Sequence, residues 1–345
     1  MSWFGITPLK KFPAPVLRPM APFFIAGVVI FTGVAAAQDA YAAFFISVSS
    51  RHLRTRPSVP RFYATMGDNA ASGASGQKPK PSGKKEVRIL MLHGYTQSGP
   101  LFRAKTRALE KLLAKTLAPV NLVPHLIYPT GPNRLRPRDI PGFTTSTEDG
   151  DAPDPDAEID SWAWWRRDEA SGTYRFFSEG MMAVADAIKA AGQDVEEGAA
   201  PIDGIIGFSQ GGSMTAMVAA AMDILPTTSA PRTPPAGDSD WAQALRDANR
   251  GLPLKFAVSY SGFYALPKEF GWLYDPKIVT PTLHFIGSLD TVVEESRSQG
   301  LVDRCVDPVV VIHPGGHYVP IAKEWVMPLV GFIRQYVAGN GKASM

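Results

Sequence analysis

The sequence predicts an α/β domain on a mostly parallel, doubly wound sheet, and three observations carry that expectation. From Glu86 onward, short β-rich runs alternate with segments of helical periodicity. A Gly-x-Ser-x-Gly motif stands between one such run and the helix after it. The chain of 345 residues, 45% of them apolar, is long enough to bury a large core. Repeated strand-helix units need crossover connections, which yield a parallel sheet covered on both faces.

Taken in order, the chain begins with a segment unlike the rest. Met20 to Ala37 contains no charged side chain and is just long enough to cross a bilayer as one helix. Lys10, Lys11 and Arg18 flank it on the N-terminal side, and Ala35-Ala36-Ala37 could mimic a cleavage site, so a cleaved targeting segment or a buried helix are the competing readings. Residues 44–85 read as a linker: first basic, then from 67 onward rich in Gly, Ser, Ala, Lys and Pro without an aromatic residue. Such a composition buries too little apolar surface to offset ordering entropy.

The folded domain is expected over 86–338, with 339–345 as a tail. Val87–Leu92, Leu122–Tyr128, Ile202–Phe208, Lys255–Tyr260, Thr282–Ile286 and Val309–Ile312 read as strands, and Leu101–Leu117 and Glu179–Ala191 as helices. Further helices should start near Gly211, Glu294 and Pro320, the last with proline in its favoured first turn. Residues 129–160 and 225–252, polar and proline-rich, read as surface insertions.

Charge and cysteine content exclude several function classes. Residues 1–65 hold seven of the 35 basic side chains and one of the 32 acidic ones, which leaves 28 basic against 31 acidic beyond them. The basic balance therefore belongs to the leader, and the main domain has no electrostatic basis for binding nucleic acid. Cys305 is the single cysteine, so the chain can form neither an internal disulfide nor a thiolate metal cage. No His-Glu-x-x-His or clustered Cys/His spacing suggests a metal-dependent hydrolase.

Gly207-Phe208-Ser209-Gln210-Gly211 lies in the strand-turn-helix setting of a nucleophile elbow. A serine on so sharp a turn needs small residues two positions before and after it, and Gly207 and Gly211 supply them. The helix after Ser209 also directs its N-terminal dipole toward developing negative charge. A serine hydroxyl needs a base, and in an α/β-hydrolase the chain order is Ser, then Asp or Glu, then His. Three histidines follow Ser209. His284 lies within a strand pattern and His313 ends one, whereas His317 sits in the loop Pro314-Gly-Gly-His, where a side chain can swing over the serine. His317 is the expected base, with His313 the rival.

Asp290, just after Thr282–Ile286, is the expected acid that orients the imidazole; Asp303 and Asp307 are later rivals. Backbone N–H donors for the oxyanion should come from Gln210 and from the loop after the first strand, where Tyr95 is favoured and Thr96 is next. His93 is expected to shape that loop. Trp162, Trp164 and Trp165 carry two readings, packing of an insertion onto the domain or an apolar wall for a substrate acyl group, and Thr96 joins Trp164 and Trp165 as a candidate substrate contact.

Leu92-His-Gly-Tyr-Thr-Gln-Ser-Gly, Ser161-Trp-Ala-Trp-Trp-Arg, Gly207-Phe-Ser-Gln-Gly-Gly, Tyr260-Ser-Gly-Phe and Gly315-Gly-His together resemble the FSH family of fungal serine hydrolases, related to an animal serine hydrolase first noted in ovarian tumours. The likeness extends over 86–337. It implies an α/β-hydrolase fold and a carboxylesterase or thioesterase acting through Ser209, Asp290 and His317 on a small acyl ester or thioester, without metal or organic cofactor. Some members release acyl chains from polyketide synthases.

Residues 1–43 resemble subunit J of mitochondrial ATP synthase, beginning with Pro8-Leu-Lys-Lys-Phe-Pro-Ala-Pro. That likeness implies membrane insertion through 20–37 and association with the synthase. The two resemblances imply either a fused product at a mitochondrial membrane or a separate cytoplasmic or nuclear hydrolase beginning at Met66.

Overall fold

The computed structural model describes residues 83–140, 154, 157–168, 170–227 and 229–338. The apolar run 20–37, most of the linker and the tail lie outside them. Among the described residues, no helix is long and apolar enough to cross a membrane.

The core is a six-stranded sheet of β1 (Lys85–Leu92), β2 (Leu122–Ile127), β7 (Gly204–Phe208), β8 (Phe256–Tyr260), β9 (Thr282–Gly287) and β10 (Val309–His313). Its order is β10-β9-β8-β7-β1-β2, and every pairing is parallel. The order reverses direction between β1 and β7, which opens a crevice beyond their carboxyl ends, the usual ligand position in such sheets. Between β2 and β7 lie the two-residue strands β3 (Asn133–Arg134), β4 (Trp162–Ala163), β5 (Arg166–Arg167) and β6 (Tyr174–Arg175), paired as two small antiparallel ribbons.

The alternation along β1 explains the two layers. Leu90 and Leu92 enter a core formed with α2 (Phe177–Ala191), α3 (Gln210–Met222) and α4 (Ser239–Ala248). Val87, Ile89 and Met91 point the other way, into a core with α1 (Gly99–Leu117) and α6 (Lys323–Val337). In α1, Phe102, Thr106, Leu109, Leu113 and Leu117 recur at helical spacing and are the buried stripe. Its start is set by Ser98, whose hydroxyl accepts from the Leu101 N–H. Each fully buried leucine contributes about 2 kcal/mol of burial free energy.

Among the helices of the described residues, α3 alone has every residue buried. Its small side chains, with three alanines in Ala219-Ala220-Ala221, let it lie close to β7 and β8 while α4 covers its outer side.

Two expectations need correction. Residues 225–252 are not merely a surface insertion, because α4 lies within them and Trp241, Ala242 and Leu245 are buried in the core. Proline-rich flanks hide that short amphipathic stretch. The segment is also clasped: Arg232 donates to the carbonyls of Trp272, Leu273 and Pro276, and its other nitrogen pairs at 3.1 Å with Asp223, the residue that ends α3. The last helix, α6, begins at Lys323, so Pro320 lies before it and not in its first turn. α5 (Glu295–Val302) begins one residue after Glu294.

Candidate active site

β7 ends at Phe208, and the chain then turns sharply into α3 with Ser209 at φ 53° and ψ −116°. Such a conformation costs an L-residue on the order of 1–3 kcal/mol and persists only where its surroundings overdetermine it. Here the Ser209 N–H donates to the Tyr260 carbonyl at 2.8 Å, and the Ser209 carbonyl accepts from Ser213 at 3.0 Å. The two flanking glycines are required by close approach. A Cβ at Gly207 would be driven into the Gly211 carbonyl, and one at Gly211 into the carbonyls of Leu92 and His93.

His317 hangs from the loop after β10, and its Nε2 lies 2.8 Å from Ser209 Oγ. Its Nδ1 lies 2.7 Å from Asp290 Oδ2. A carboxylate accepts only, so Nδ1 carries the proton and Nε2 is left to accept from the serine. The Phe208 ring lies under the imidazole, with centroids 4.8 Å apart, and limits its swing.

Asp290 follows β9, and its other oxygen accepts from the Val292 and Val293 N–H groups, both at 2.9 Å. Burial acts to raise its pKa, but these bonds and that from His317 outweigh it and hold the carboxyl below its usual range. The acid and base loops are tied together: the Ser288 N–H donates to the His313 carbonyl and that of Leu289 to Gly315.

The loop after β1 lies against the serine from the other side. A Cβ on Gly94 would touch the Phe208 ring at 3.0 Å and the Ser209 Cβ at 3.4 Å. The Gly94 N–H is directed at Gln97 Oε1 at 3.4 Å, and the Thr96 N–H donates to the Trp162 carbonyl at 3.0 Å. Thr96 itself has a positive φ of 67°. His93 is wholly buried beneath this loop: Nδ1 donates to the Gly94 carbonyl at 2.8 Å, and Nε2 accepts from Gly131 at 2.9 Å. Burial lowers its pKa to about 4, so it stays neutral and shapes the loop.

The rival residues lie elsewhere. His284 is buried in β9 beside Cys305, and His313 is turned onto the Gly315 N–H. Asp303 caps α5 and accepts from Gln299. Asp307 lies in the turn before β10, with a φ of 46°. A surface groove between α2 and α4 is lined by Met182, Lys189, Asp247 and Arg250 and by none of these residues. Among the described residues, no cluster of His, Cys, Asp and Glu could hold a metal.

Residues 82–329 match the family model described as serine hydrolase (FSH1). The chain belongs to that serine hydrolase family. Family of serine hydrolases 2 from Saccharomyces cerevisiae is 30% identical over 250 residues, which is 72% of this chain and 97% of that protein. Esterase OVCA2 of Xenopus tropicalis is 29% identical, with coverage of 72% and 92%. A protein named dihydrofolate reductase from Schizosaccharomyces pombe is 32% identical over 68% of this chain, which spans only 44% of that protein's length. Residues 11–43 separately match the family model for the ATP synthase j chain and lie outside the described residues.

Within this serine hydrolase the tryptophans pack the insertion onto the domain. Trp164 is fully buried, its ring 4.9 Å from that of His93 and its Nε1 donating to the His93 carbonyl. Trp165 is buried too, stacked on Tyr174 and edge-on to Phe177. Neither presents an open wall, which corrects the substrate-wall reading of the pair.

The sequence reading missed the Gln210 side chain. Its Oε1 accepts from the Trp164 N–H at 2.9 Å and its Nε2 donates to the Trp165 carbonyl at 2.8 Å. It thereby staples the insertion to the residue after Ser209. The only signal was a long polar residue inside an otherwise small and apolar helix start.

Proposed function

We propose that this serine hydrolase cleaves carboxylic esters or thioesters of short-to-medium acyl chains through an acyl-enzyme on Ser209. The supporting observation is the unbroken hydrogen-bond relay from Ser209 Oγ through His317 to Asp290. His317 Nε2 takes the hydroxyl proton as Oγ bonds to the substrate carbonyl carbon, and Asp290 stabilises the imidazolium that results. The tetrahedral oxyanion is received by the backbone N–H groups of Gln210, at the start of α3, and Tyr95, in the loop that Gly94 brings against Ser209. Collapse breaks the bond to the alkoxide or thiolate, which leaves with the proton from Nε2. Water then attacks the acyl-enzyme, gives its proton to Nε2, and collapse frees the acid and returns the proton to Ser209.

Exposed Leu289, Val292 and Tyr318 flank Asp290 and His317 and offer apolar contact to an acyl chain. Release of acyl chains from a polyketide-type carrier is one use consistent with such a site. The experiment is hydrolysis of a p-nitrophenyl ester and acyl-thioester chain-length series, with fluorophosphonate labelling, by the chain and by Ser209→Ala. Turnover and labelling should both vanish in the variant, a loss on the order of 10⁴-fold or more in kcat. A folded wild-type protein that neither turns over nor labels would overturn the proposal.

A second reading rests on the match of residues 11–43 to the ATP synthase j chain. In it, the segment 20–37 inserts in the mitochondrial membrane and carries the hydrolase domain, 86–338, to the synthase. Co-purification of the intact chain with that complex supports it. Translation beginning at Met66, read from the terminal peptide, removes it and leaves a cytoplasmic or nuclear hydrolase.

A further inference from the structure

Arg297, in the first turn of α5, is a half-buried cation that stacks on an aromatic face and meets no anion among the described residues. Its guanidinium carbon lies 4.3 Å from the centroid of the Phe263 ring. Its Nε is buried and makes no hydrogen bond, and among the described residues no carboxylate lies within ion-pairing distance of it. Partly buried arginines ordinarily meet a carboxylate, because removing the charge from water costs free energy that only a partner restores. Stacking on phenylalanine returns about 1–2 kcal/mol of that cost but satisfies none of the N–H donors in the guanidinium plane.

The stacking ring is tied to the helix that follows the serine. Phe263 ends the turn Tyr260-Ser261-Gly262-Phe263 beyond β8, and its N–H donates to Ser213 Oγ at 2.9 Å, one turn along α3 from Ser209. The Tyr260 carbonyl holds the Ser209 N–H itself. Ser298, the neighbour of Arg297, donates to the Gly262 carbonyl at 2.8 Å and locks α5 onto the same turn. Tyr174, on β6, lies within electrostatic reach of the same guanidinium: burial raises the pKa of its hydroxyl and the Arg297 charge acts against that rise. Glu269, which also acts on Tyr174, forms no ion pair with Arg297.

We propose that Arg297 is a specificity-determining residue that binds an anionic group, a carboxylate or phosphate, carried by the ester or thioester substrate. The inference rests on the Ser209 hydrolase reading and names the substrate class for that site: acyl compounds with a negative charge a few bonds from the scissile carbonyl. A fork of guanidinium N–H groups matches the two oxygens of either anion. The charge can stand on the acyl part, as in a half-ester of a dicarboxylic acid, or on the leaving group, as in a phosphorylated thiol.

The test compares matched substrates on the full chain. For the acyl side, mono-p-nitrophenyl glutarate is set against its methyl ester; for the leaving group, butyryl-coenzyme A is set against butyryl-N-acetylcysteamine. Arg297→Met keeps a stem on Phe263 and removes the charge, and Arg297→Lys restores a charge without the fork. In the methionine variant, the ratio of kcat/KM for the anionic over the neutral member should fall by about tenfold or more in one of the two arms, with part recovered by lysine. The arm that responds identifies where the charge stands. Neutral substrates should change less than about twofold.

Equal ratios in wild type and Arg297→Met in both arms overturn the inference, as does an equal fall for charged and neutral members, which would make Arg297 a packing residue. Binding of N-phenylglutaramic acid and its methyl ester to Ser209→Ala, with and without Arg297→Met, tests the same preference without turnover. Loss of all hydrolysis with that preference intact counts against the Ser209 reading alone.

Discussion

Ser209 and its two partners are held by different kinds of constraint. Every residue from Pro201 to Met222 is buried, and the turn at Ser209 is fixed by what cannot fit: a methyl group on Gly207 or Gly211 has no room beside the neighbouring carbonyls. Asp290 and His317 project instead from loops with exposed flanks, among them Leu289, Val292 and Tyr318. Those loops are fixed by directional bonds, from Val292 and Val293 to Asp290 and from Ser288 and Leu289 to the His313–Gly315 segment. Exclusion couples the elbow to the stability of the whole core, whereas hydrogen bonding leaves the acid and base loops adjustable at little cost to the fold. Changes in the elbow should therefore be read in stability, and changes in the loops in rate.

The largest effect expected from that contrast is on rate. Asp290→Asn retains an oxygen for the Val292 and Val293 N–H groups but puts an amide where the carboxylate met His317 Nδ1. The imidazole is then free to adopt the wrong tautomer, and kcat should fall on the order of 10³–10⁴-fold. The thermal midpoint, measured beside it, should move little. A variant that loses rate and unfolds together would break the contrast, because the loop would then be bearing on the core.

The next effect is on stability and compares two glycines. Gly207→Ala forces a methyl group into the Gly211 carbonyl and Thr215 Oγ1, both rigidly packed, and should cost about 3 kcal/mol or more. Gly316→Ala, in the base loop beside His317, would meet only the Leu289 carbonyl at 3.3 Å. It should cost under about 1 kcal/mol, because an exposed loop can give by a few tenths of an ångström. Urea unfolding of the two variants measures both, and similar costs would erase the distinction between elbow and loop.

The same contrast explains what could be read from the sequence. The elbow was legible because exclusion writes itself into residue type: only glycine fits at 207 and 211, and the apolar run before them marks β7. Asp290 and His317 were legible through chain order, since each had to follow a strand that periodicity identifies. Contacts between distant polar side chains and backbone left no such trace. Arg232 clasps four carbonyls near Trp272 and Lys277, and Gln210 staples Trp164 and Trp165, yet neither partner set has a spacing that marks it. α4 escaped notice because only Trp241, Ala242 and Leu245 face inward within a proline-rich stretch, too short a stripe to outweigh its surroundings.

The smallest effect sharpens the comparison through pH. His93 and His284 are both buried in the packed region, and burial lowers the pKa of each to about 4. In the unfolded chain a histidine takes up a proton as pH falls below about 6.5, whereas these two remain neutral in the folded protein until about 4. Their stabilising contribution is therefore complete above that upper value and is lost as pH falls between the two, by about 2 kcal/mol per histidine from pH 7 to pH 5. Asp290 acts in a different window: its carboxyl is held below the usual range, so its contribution is lost only in more acidic solution. His284→Leu, remote from the relay, should remove about 2 kcal/mol of the loss seen in urea unfolding between pH 7 and pH 5. Over that interval acid sensitivity then belongs to the packed core and not to the acid loop. An unchanged loss in the variant would mean that the acid-labile element lies elsewhere, and that burial at His284 is relieved before the chain unfolds.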